Sequence, residues 1–332
     1  MTDDVMIGRR GFLGAAAASA WLVGGPVLAR GKRHAIRVAS NQGSENATLQ
    51  QMIVDLNLFD RLSLDAVIVE GRTISAPMEA LLADQADVCM ISGFVGVLPA
   101  IEAGKELRLV GAAMEKPALA LYSIMDVARI EDLAGRTIGI GATKGLLHIL
   151  TVALLRKKGV DPASVEFVNV GSNAQVLEAV LSGTVDAGLS GIAGVSDSRA
   201  RVVAGGELWR ELPDYTYQTA YASLRAIRDK PEAVARCLAA YSRLFRYLSS
   251  PSSKLAYLEA RRKAAGQPDP TEAEAVWNFI QKHQPYGHSP GLSVKRVDYL
   301  QSLNLEVGLQ AKALPFDAVA AMGPALRARQ LL

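Results

Sequence analysis

Glu79-Ala80-Leu81-Leu82, then Asp87-Val88-Cys89-Met90-Ile91-Ser92-Gly93, returns later in the chain as Glu178-Ala179-Val180-Leu181, then Asp186-Ala187-Gly188-Leu189-Ser190-Gly191. In both copies a short helical run ends in a small polar turn, an Asp introduces a short apolar strand, and the strand stops at Ser-Gly. Self-similarity of this kind marks a repeated structural unit, so the chain reads as two related units in series.

The correspondence continues upstream. Ile36-Arg37-Val38-Ala39-Ser40 opens the first unit as a strand, and Thr137-Ile138-Gly139-Ile140-Gly141 opens the second. A helical stretch follows each. Ser44 to Leu58 carries Leu49, Met52, Ile53 and Leu56 on one face, and Gly145 to Lys158 carries Leu146, Ile149, Leu150, Ala153 and Leu154 at helical spacing. Second strands are expected at Leu64 to Val69 and Val165 to Val170, behind the turn signals Asp60-Arg61-Leu62-Ser63 and Gly159-Val160-Asp161-Pro162. Strands alternating with helices build βαβ units on parallel sheets, which makes each unit an α/β lobe. Ala118 to Ile124 reads as an apolar strand entering the second lobe, and Thr219 to Ile227 as one leaving it. After Pro231 the pattern is helical, with Val234, Cys237, Leu238, Tyr241, Leu244, Phe245 and Leu248 on one face. Further helices are expected around Ser252–Ala265, Thr271–Lys282, Val294–Leu303 and Phe316–Leu326, returning to brace the first lobe. Lobe I is thus assigned residues 30–118 plus 224–332 and lobe II residues 119–223, joined by two crossover strands with a ligand cleft between them.

The first residues carry a different signal. Arg9-Arg10-Gly11-Phe12-Leu13 precedes an apolar run from Gly14 to Leu28, and Val27-Leu28-Ala29 offers small residues at the spacing a signal peptidase reads. A membrane-spanning helix needs about 20 strongly apolar residues. This run is small in side chain and broken by Gly24-Gly25-Pro26. Residues 1–29 therefore read as a twin-arginine-type signal peptide cleaved near Ala29, the alternative being a chance arginine pair before an alanine-rich helix. Export to the periplasm is the expectation, without a lipid anchor, because no Cys follows the run. A formal net charge of +3 is too mild to argue for a nucleic-acid or membrane-surface partner. Of the two cysteines, Cys89 and Cys237, an oxidising compartment permits pairing. Two buried, unpaired thiols is the simpler reading.

Glu131-Asp132-Leu133-Ala134-Gly135-Arg136-Thr137-Ile138-Gly139 resembles the Asp-Leu-x-Gly-Lys/Arg-x-Ile-Gly phrase that opens the second lobe of type 2 periplasmic substrate-binding proteins. Lys158-Gly159-Val160-Asp161-Pro162 before Val165 is similar to the helix-to-strand turn of the same proteins, and Asp229-Lys230-Pro231-Glu232 to their re-entry into the first lobe. The resemblance spans roughly residues 35 to 260. It lies nearest the branch serving ABC importers for nitrate, taurine and alkanesulfonates, together with the thiamine-pyrimidine-precursor binders. What it implies is a two-lobed α/β solute-binding protein, monomeric and without cofactor, that hands a small molecule to an ABC importer permease in the inner membrane. The twin-arginine export machinery would be its other partner. The alternatives it leaves open are a thiamine-pyrimidine-precursor binding or synthesis protein on the same fold, and a binding protein serving a sensor.

Open parallel sheets bind ligands at the carboxyl ends of their strands, and two such lobes facing each other close on a solute by hinge motion. The candidate residues are those just after each strand: Asn41, Gln42, Gly71, Arg72, Ser92 and Gly93 in the first lobe, and Thr143, Lys144, Gly145, Ser172, Asn173, Ser190 and Gly191 in the second. Tyr217 and Tyr221, near the return strand, are expected to wall the cleft. Thr143-Lys144-Gly145 precedes a helix whose free N–H groups favour an anion, and Arg72 can clamp an acidic group with two parallel hydrogen bonds. The plainer readings are Thr143 as a helix cap, Lys144 in solvent, Arg72 in a surface ion pair, Ser92 and Ser190 as caps of the next helices, and Asn41, Gln42 and Asn173 as turn residues. The solute is expected to be anionic, of the sulfonate, nitrate or carboxylate class.

No catalytic constellation stands out. Neither a Gly-x-Ser-x-Gly elbow, a phosphate-binding loop nor a Cys-x-x-Cys pair is present. Among the histidines His34, His148, His283 and His288, the last two share a Pro/Gly loop without a nearby Cys or acid, whereas zinc sites want four ligands in tighter patterns. Neither metal nor enzymatic activity is expected.

Overall fold

Asp87 and Asp186, the acids of the two repeats, do the same thing in space. The Asp87 carboxylate accepts the backbone N–H of Arg37 at 2.9 Å, and the Asp186 carboxylate accepts that of Thr137 at 2.7 Å. Each therefore clasps the start of the third strand of its unit to the start of the first. The computed structural model describes residues 32–124, 127–265 and 270–332, so the signal peptide read over residues 1–29 lies outside the described residues.

Around these clasps two sheets form. The first contains β1 (His34–Asn41), β2 (Leu64–Gly71), β3 (Val88–Cys89), β4 (Leu107–Met114) and β10 (Gln218–Ser223), in the order β2-β1-β3-β10-β4. The second contains β5 (Leu119–Ser123), β6 (Thr137–Ile140), β7 (Glu166–Asn169), β8 (Ala187–Gly191) and β9 (Arg201–Glu207), in the order β7-β6-β8-β5-β9. Each has three parallel strands followed by one antiparallel crossover strand, β10 or β5. This is the two-lobed α/β architecture expected from the repeat. The boundary shifts by one strand: Gln218–Ser223 pairs with β3 and β4 of lobe I rather than belonging to lobe II. The strand-like run there also ends earlier, because Ser223 caps a short helix, Leu224–Asp229, by accepting the Ala226 N–H at 3.1 Å.

The helices follow their apolar faces. Helix α1 (Ser44–Asp55) buries Leu49, Met52 and Ile53, and α2 (Ala76–Leu82) buries Pro77, Ala80 and Leu81. In the second lobe α3 (Leu146–Lys157) buries Leu147, Ile149, Leu150, Leu154 and Leu155, and Arg156 and Lys157 close it where the helix dipole is negative. Helix α4 (Asn173–Leu181) starts in a capping box, the Ser172 N–H donating to Gln175 at 2.8 Å and the Gln175 N–H to the Ser172 hydroxyl at 3.4 Å. Helix α5 (Pro231–Leu248) lays Val234, Cys237, Leu238, Tyr241, Leu244, Phe245 and Leu248 into the lobe I core. Truncating Leu238 there to Ala is a loss of about 2–5 kcal/mol.

The C-terminal helices α6 (Lys254–Ala265), α7 (Pro270–His283) and α8 (Val294–Glu306) do more than brace lobe I. Phe279 of α7 packs edge-on against Trp209 of lobe II, ring centres 4.9 Å apart. Val297, Leu300 and Leu303 of α8 share one buried cluster with Leu109 of lobe I and Leu147 and Ile149 of lobe II. Their apolar faces are wider than one lobe covers, so the tail spans both. The expected last helix divides into Phe316–Val319 and Gly323–Arg329.

Candidate ligand-binding cleft

Strand direction locates the cleft. β1, β2, β3 and β4 all end at one edge of the first sheet, where β10 begins; β6, β7 and β8 end at the corresponding edge of the second, where β5 begins. The chain crosses between these edges twice, from Met114 to Leu119 and from Glu207 to Gln218.

On the lobe I side the end of β1 is tied to its neighbours. The Asn41 side-chain oxygen accepts from the Ser92 hydroxyl and, at 3.1 Å, from Asn46. Four residues on, Glu45 is ringed by donors: the Tyr286 hydroxyl at 3.0 Å on one oxygen, the Tyr257 hydroxyl at 2.9 Å and Arg261 at 3.3 Å on the other. Tyr286 reaches this edge because it bridges to Met114 at the end of β4. Arg261 is itself buried and shared with Glu272 at 2.9 Å. Sequence reading stopped at Gln42 and missed Glu45. The signal was its place in the first turn of the helix leaving β1.

On the lobe II side the Ser190 hydroxyl donates to the Asn173 carbonyl at 2.8 Å, and the Asn173 side chain lies close enough to the Tyr217 hydroxyl to lower its pKa. Tyr217 immediately precedes β10, so the two lobes come close here. Burial pushes the Tyr217 hydroxyl up to about 12, opposed by the nearby Asn173 side chain and reinforced by the Glu45 charge. The hydroxyl is therefore a neutral donor and acceptor at every physiological pH.

Two groups of the expected residues thus come together, Asn41 with Ser92 and Asn173 with Ser190 and Tyr217. Ser92 and Ser190 serve the strand ends rather than capping helices. Gly93 and Gly191 follow them, and Gly71 packs so tightly on Ala76 that a side-chain carbon there would lie 2.2 Å from it. Tyr221 leaves the set: it pairs with Cys89 inside the sheet and is fully buried, so it does not wall the cleft.

The cations stand apart. Arg72 and Thr143 are exposed, and among the described residues Arg72 makes no ion pair. Lys144 sits in a left-handed turn (φ 63°); its N–H donates to His148 Nδ1 at 3.1 Å and its ammonium to the Gly308 carbonyl at 2.9 Å, across to the C-terminal segment. Burial lowers the His148 pKa, which keeps the ring neutral and able to accept. The N-cap of α3 is Gly145, not Thr143, and no side chain caps it, so the helix start faces outward with uncapped N–H groups.

Chemically this is a hydrogen-bonding surface. Both thiols are unpaired and fully buried, and burial pushes Cys89 up to about 12. Among the described residues no three His, Cys, Asp or Glu side chains gather as a metal site. His283 packs against Trp209 and Phe279, while His288 bonds Ser249 at 2.6 Å, so the two imidazoles serve separate packing roles.

The fold is shared with solved binding proteins. The periplasmic aliphatic sulphonate binding protein SsuA of Escherichia coli superposes with a TM-score of 0.73 at 18% identity, over 88% of this chain and 93% of that one. The alkanesulfonate-binding protein SsuA of Xanthomonas axonopodis pv. citri, bound to MOPS, gives 0.69 at 20% identity over 87% and 98%. An enzyme shares it too: a cysteine-to-serine mutant of DSZB in complex with biphenyl-2-sulfinic acid gives 0.64 at 17% identity over 90% and 100%. No curated protein matches the sequence. Over residues 54–251, more than half of its length, the sequence matches the NMT1/THI5-like family, and the chain belongs to that family.

Proposed function

We propose that this protein is an exported, monomeric solute-binding protein that closes its two lobes on a small anion of the sulfonate, nitrate or carboxylate class and delivers it to an ABC importer. The observation that carries the reading is the pair of polar clusters at the strand ends, Asn41 with Ser92 and Asn46 in one lobe and Ser190 with Asn173 in the other, with Tyr217 close to Asn173. Neutral donors there suit a solute that must be held and then released. Arg72 and the uncapped start of α3 beside Lys144 supply attraction for an anionic end. The likeness to two sulfonate-binding proteins agrees with this choice of ligand. The paired arginines and apolar run before Ala29 agree with twin-arginine export to the periplasm.

Chemistry is the competing reading, because a desulfurization enzyme has the same fold. Against it stands the burial of both thiols. One screen separates the two. Protein starting at Arg30 is heated with sulfonates, nitrate, carboxylates, aromatic acids and pyrimidines. A bound solute at a hundred times its Kd adds about 2.7 kcal/mol of stability and raises Tm. A shift with one class of anion, and an unchanged solute recovered afterwards, is the expected result. Turnover of a sulfinate or sulfonate without any shift overturns the proposal, and a shift with pyrimidines alone reassigns the solute.

A further inference from the structure

Beside the cleft lies a groove of about 830 Å³ that contacts only lobe I. It opens at the end of β1 on Asn41 and Gln42 and runs between α1 and the outer strand β2, over Ile68 and Glu70. Its size falls in the range of small-molecule sites. One wall is the α1 face that carries Gln50 and Val54.

Gln50 is the unusual member. It is 8% exposed, lines the groove, and hydrogen-bonds to nothing among the described residues. Most of the side chain is enclosed while its amide stays open to the groove, so its free donors and acceptor are presented to whatever fills that space. Glu70, on the opposite side, is exposed and makes no ion pair among the described residues. The groove therefore offers an amide and a carboxylate over an aliphatic floor of Val54 and Ile68, and no cation lines it. That chemistry rejects a second anion and accepts a group rich in N–H and O–H donors.

We propose that the groove is a second subsite that takes an amine- and hydroxyl-bearing tail, so that the solute is an extended molecule with a cationic or polyhydroxylated end rather than a bare inorganic anion. This rests on the solute-binding reading for its other end, the anion held in the cleft.

The test uses three probes on the full mature chain: ethanesulfonate, N-tris(hydroxymethyl)methyl-2-aminoethanesulfonate, and tris(hydroxymethyl)aminomethane without any sulfonate. Calorimetry should show the second binding at least tenfold more tightly than the first. Val54→Trp, at a position 57% exposed and so free of folding cost, fills the groove and should erase that advantage while leaving ethanesulfonate affinity within twofold. Gln50→Leu should remove most of it. Equal affinities in the unmodified protein, or an advantage that survives Val54→Trp, overturn the proposal. If neither sulfonate binds, the anion reading of the cleft has failed, and the groove is judged by the third probe alone. A saturable shift of the Gln50 side-chain amide resonances, lost in Val54→Trp, then supports it, and unmoved resonances overturn it.

Discussion

Asp87 and Asp186 occupy equivalent places in the two lobes and make the same backbone bond, yet their surroundings differ sharply. The Asp87 side chain is fully buried beneath three cations: Arg37 at 2.9 Å, Lys230 at 2.8 Å and Arg225 at 3.1 Å. Asp186 is 19% exposed, bonded mainly to Thr137, with Arg136 at 3.8 Å. The reason is connectivity. Lobe II is one continuous stretch, so its acid only has to close a local unit. Lobe I is interrupted, and its acid holds β1 to the returning chain: Arg225 and Lys230 both follow β10, and the Ser223 N–H donates to the Asp87 carbonyl at 3.2 Å. A repeated motif has become a charge hub in one lobe and stayed a clasp in the other.

The largest effect expected from this contrast is on stability. Asp87→Asn leaves Lys230 without its acid and Arg37 and Arg225 with only the exposed Asp84, and breaking a buried pair in this way costs about 3–5 kcal/mol, here toward the lower end. Asp186→Asn keeps an amide oxygen that can accept from Thr137, loses mainly the carboxylate charge with water nearby, and should cost about 1 kcal/mol or less. Urea denaturation followed by far-UV circular dichroism measures both. Equal losses at the two sites would remove the distinction between hub and clasp.

Acid extends the same comparison. Burial raises the Asp87 pKa, but hydrogen bonds from Arg37 and Lys230 and the Lys230 charge outweigh it and hold the carboxyl well below the usual carboxylate range. An unfolded Asp titrates near 3.9. A carboxyl depressed in the fold contributes stability that is complete above that value and is lost as pH falls toward its folded pKa. Stability should therefore drop steeply below about pH 4, and Asp87→Asn should flatten that limb. Asp186 is also lowered, chiefly by the Thr137 backbone hydrogen bond, and Asp186→Asn should change the limb less.

A third test asks whether the lobes are coupled through the cleft. Tyr217→Phe deletes the hydroxyl that lies close to Asn173 of the other lobe and could bond it as the lobes close on a solute. A net hydrogen bond is worth about 1 kcal/mol, so solute affinity should fall about fivefold with Tm nearly unchanged. A loss of Tm without loss of affinity would make the Tyr217–Asn173 contact structural only.

Much of this was legible in the chain. The repeat predicted two α/β lobes because Asp87 and Asp186 each sit at a fixed offset from an apolar strand, a local pattern tied to a local bond. The inner strands and their helices were readable for the same reason. The outer strands β4 and β9 were not. Leu107–Met114 runs straight into the crossover and Arg201–Glu207 into only a four-residue helix, Leu208–Glu211, and their roles depend on the antiparallel crossover strands. The site divided along the same line. Asn41 and Ser190 lie at the ends of their strands and Ser92 and Asn173 within a few residues after theirs, so they could be named. Glu45 could not be weighed, because Tyr257, Arg261 and Tyr286, which hold it, come from more than two hundred residues away. Tyr221 was misplaced because sequence shows that a strand is near the cleft but not which face of it a side chain takes.

The smallest expected effect concerns the two turns that follow the first strand of each lobe. Both lead into helices whose N-caps, Gly43 and Gly145, carry no side-chain cap. Both are pinned instead by the third residue of the helix: Asn46 donates to Asn41 in lobe I, and His148 accepts from the Lys144 N–H in lobe II. The amide has no charge to gain, but the imidazole does. Burial lowers the His148 pKa below its ordinary 6.5, so the turn's stabilisation is present above that pH and is lost as pH falls through the lower folded value. Protonated, the ring can no longer accept, and the Lys144 turn beside the candidate anion site should loosen while the Asn41 turn does not. The His148 ring resonances should titrate with a midpoint below 6.5, and amide exchange at Lys144 should speed up over the same range. His148→Asn, which replaces the acceptor with one that cannot ionise, should abolish that pH dependence. A midpoint at or above 6.5 would mean that the imidazole is held in its charged form and that the two turns are pinned by different chemistry from that drawn here.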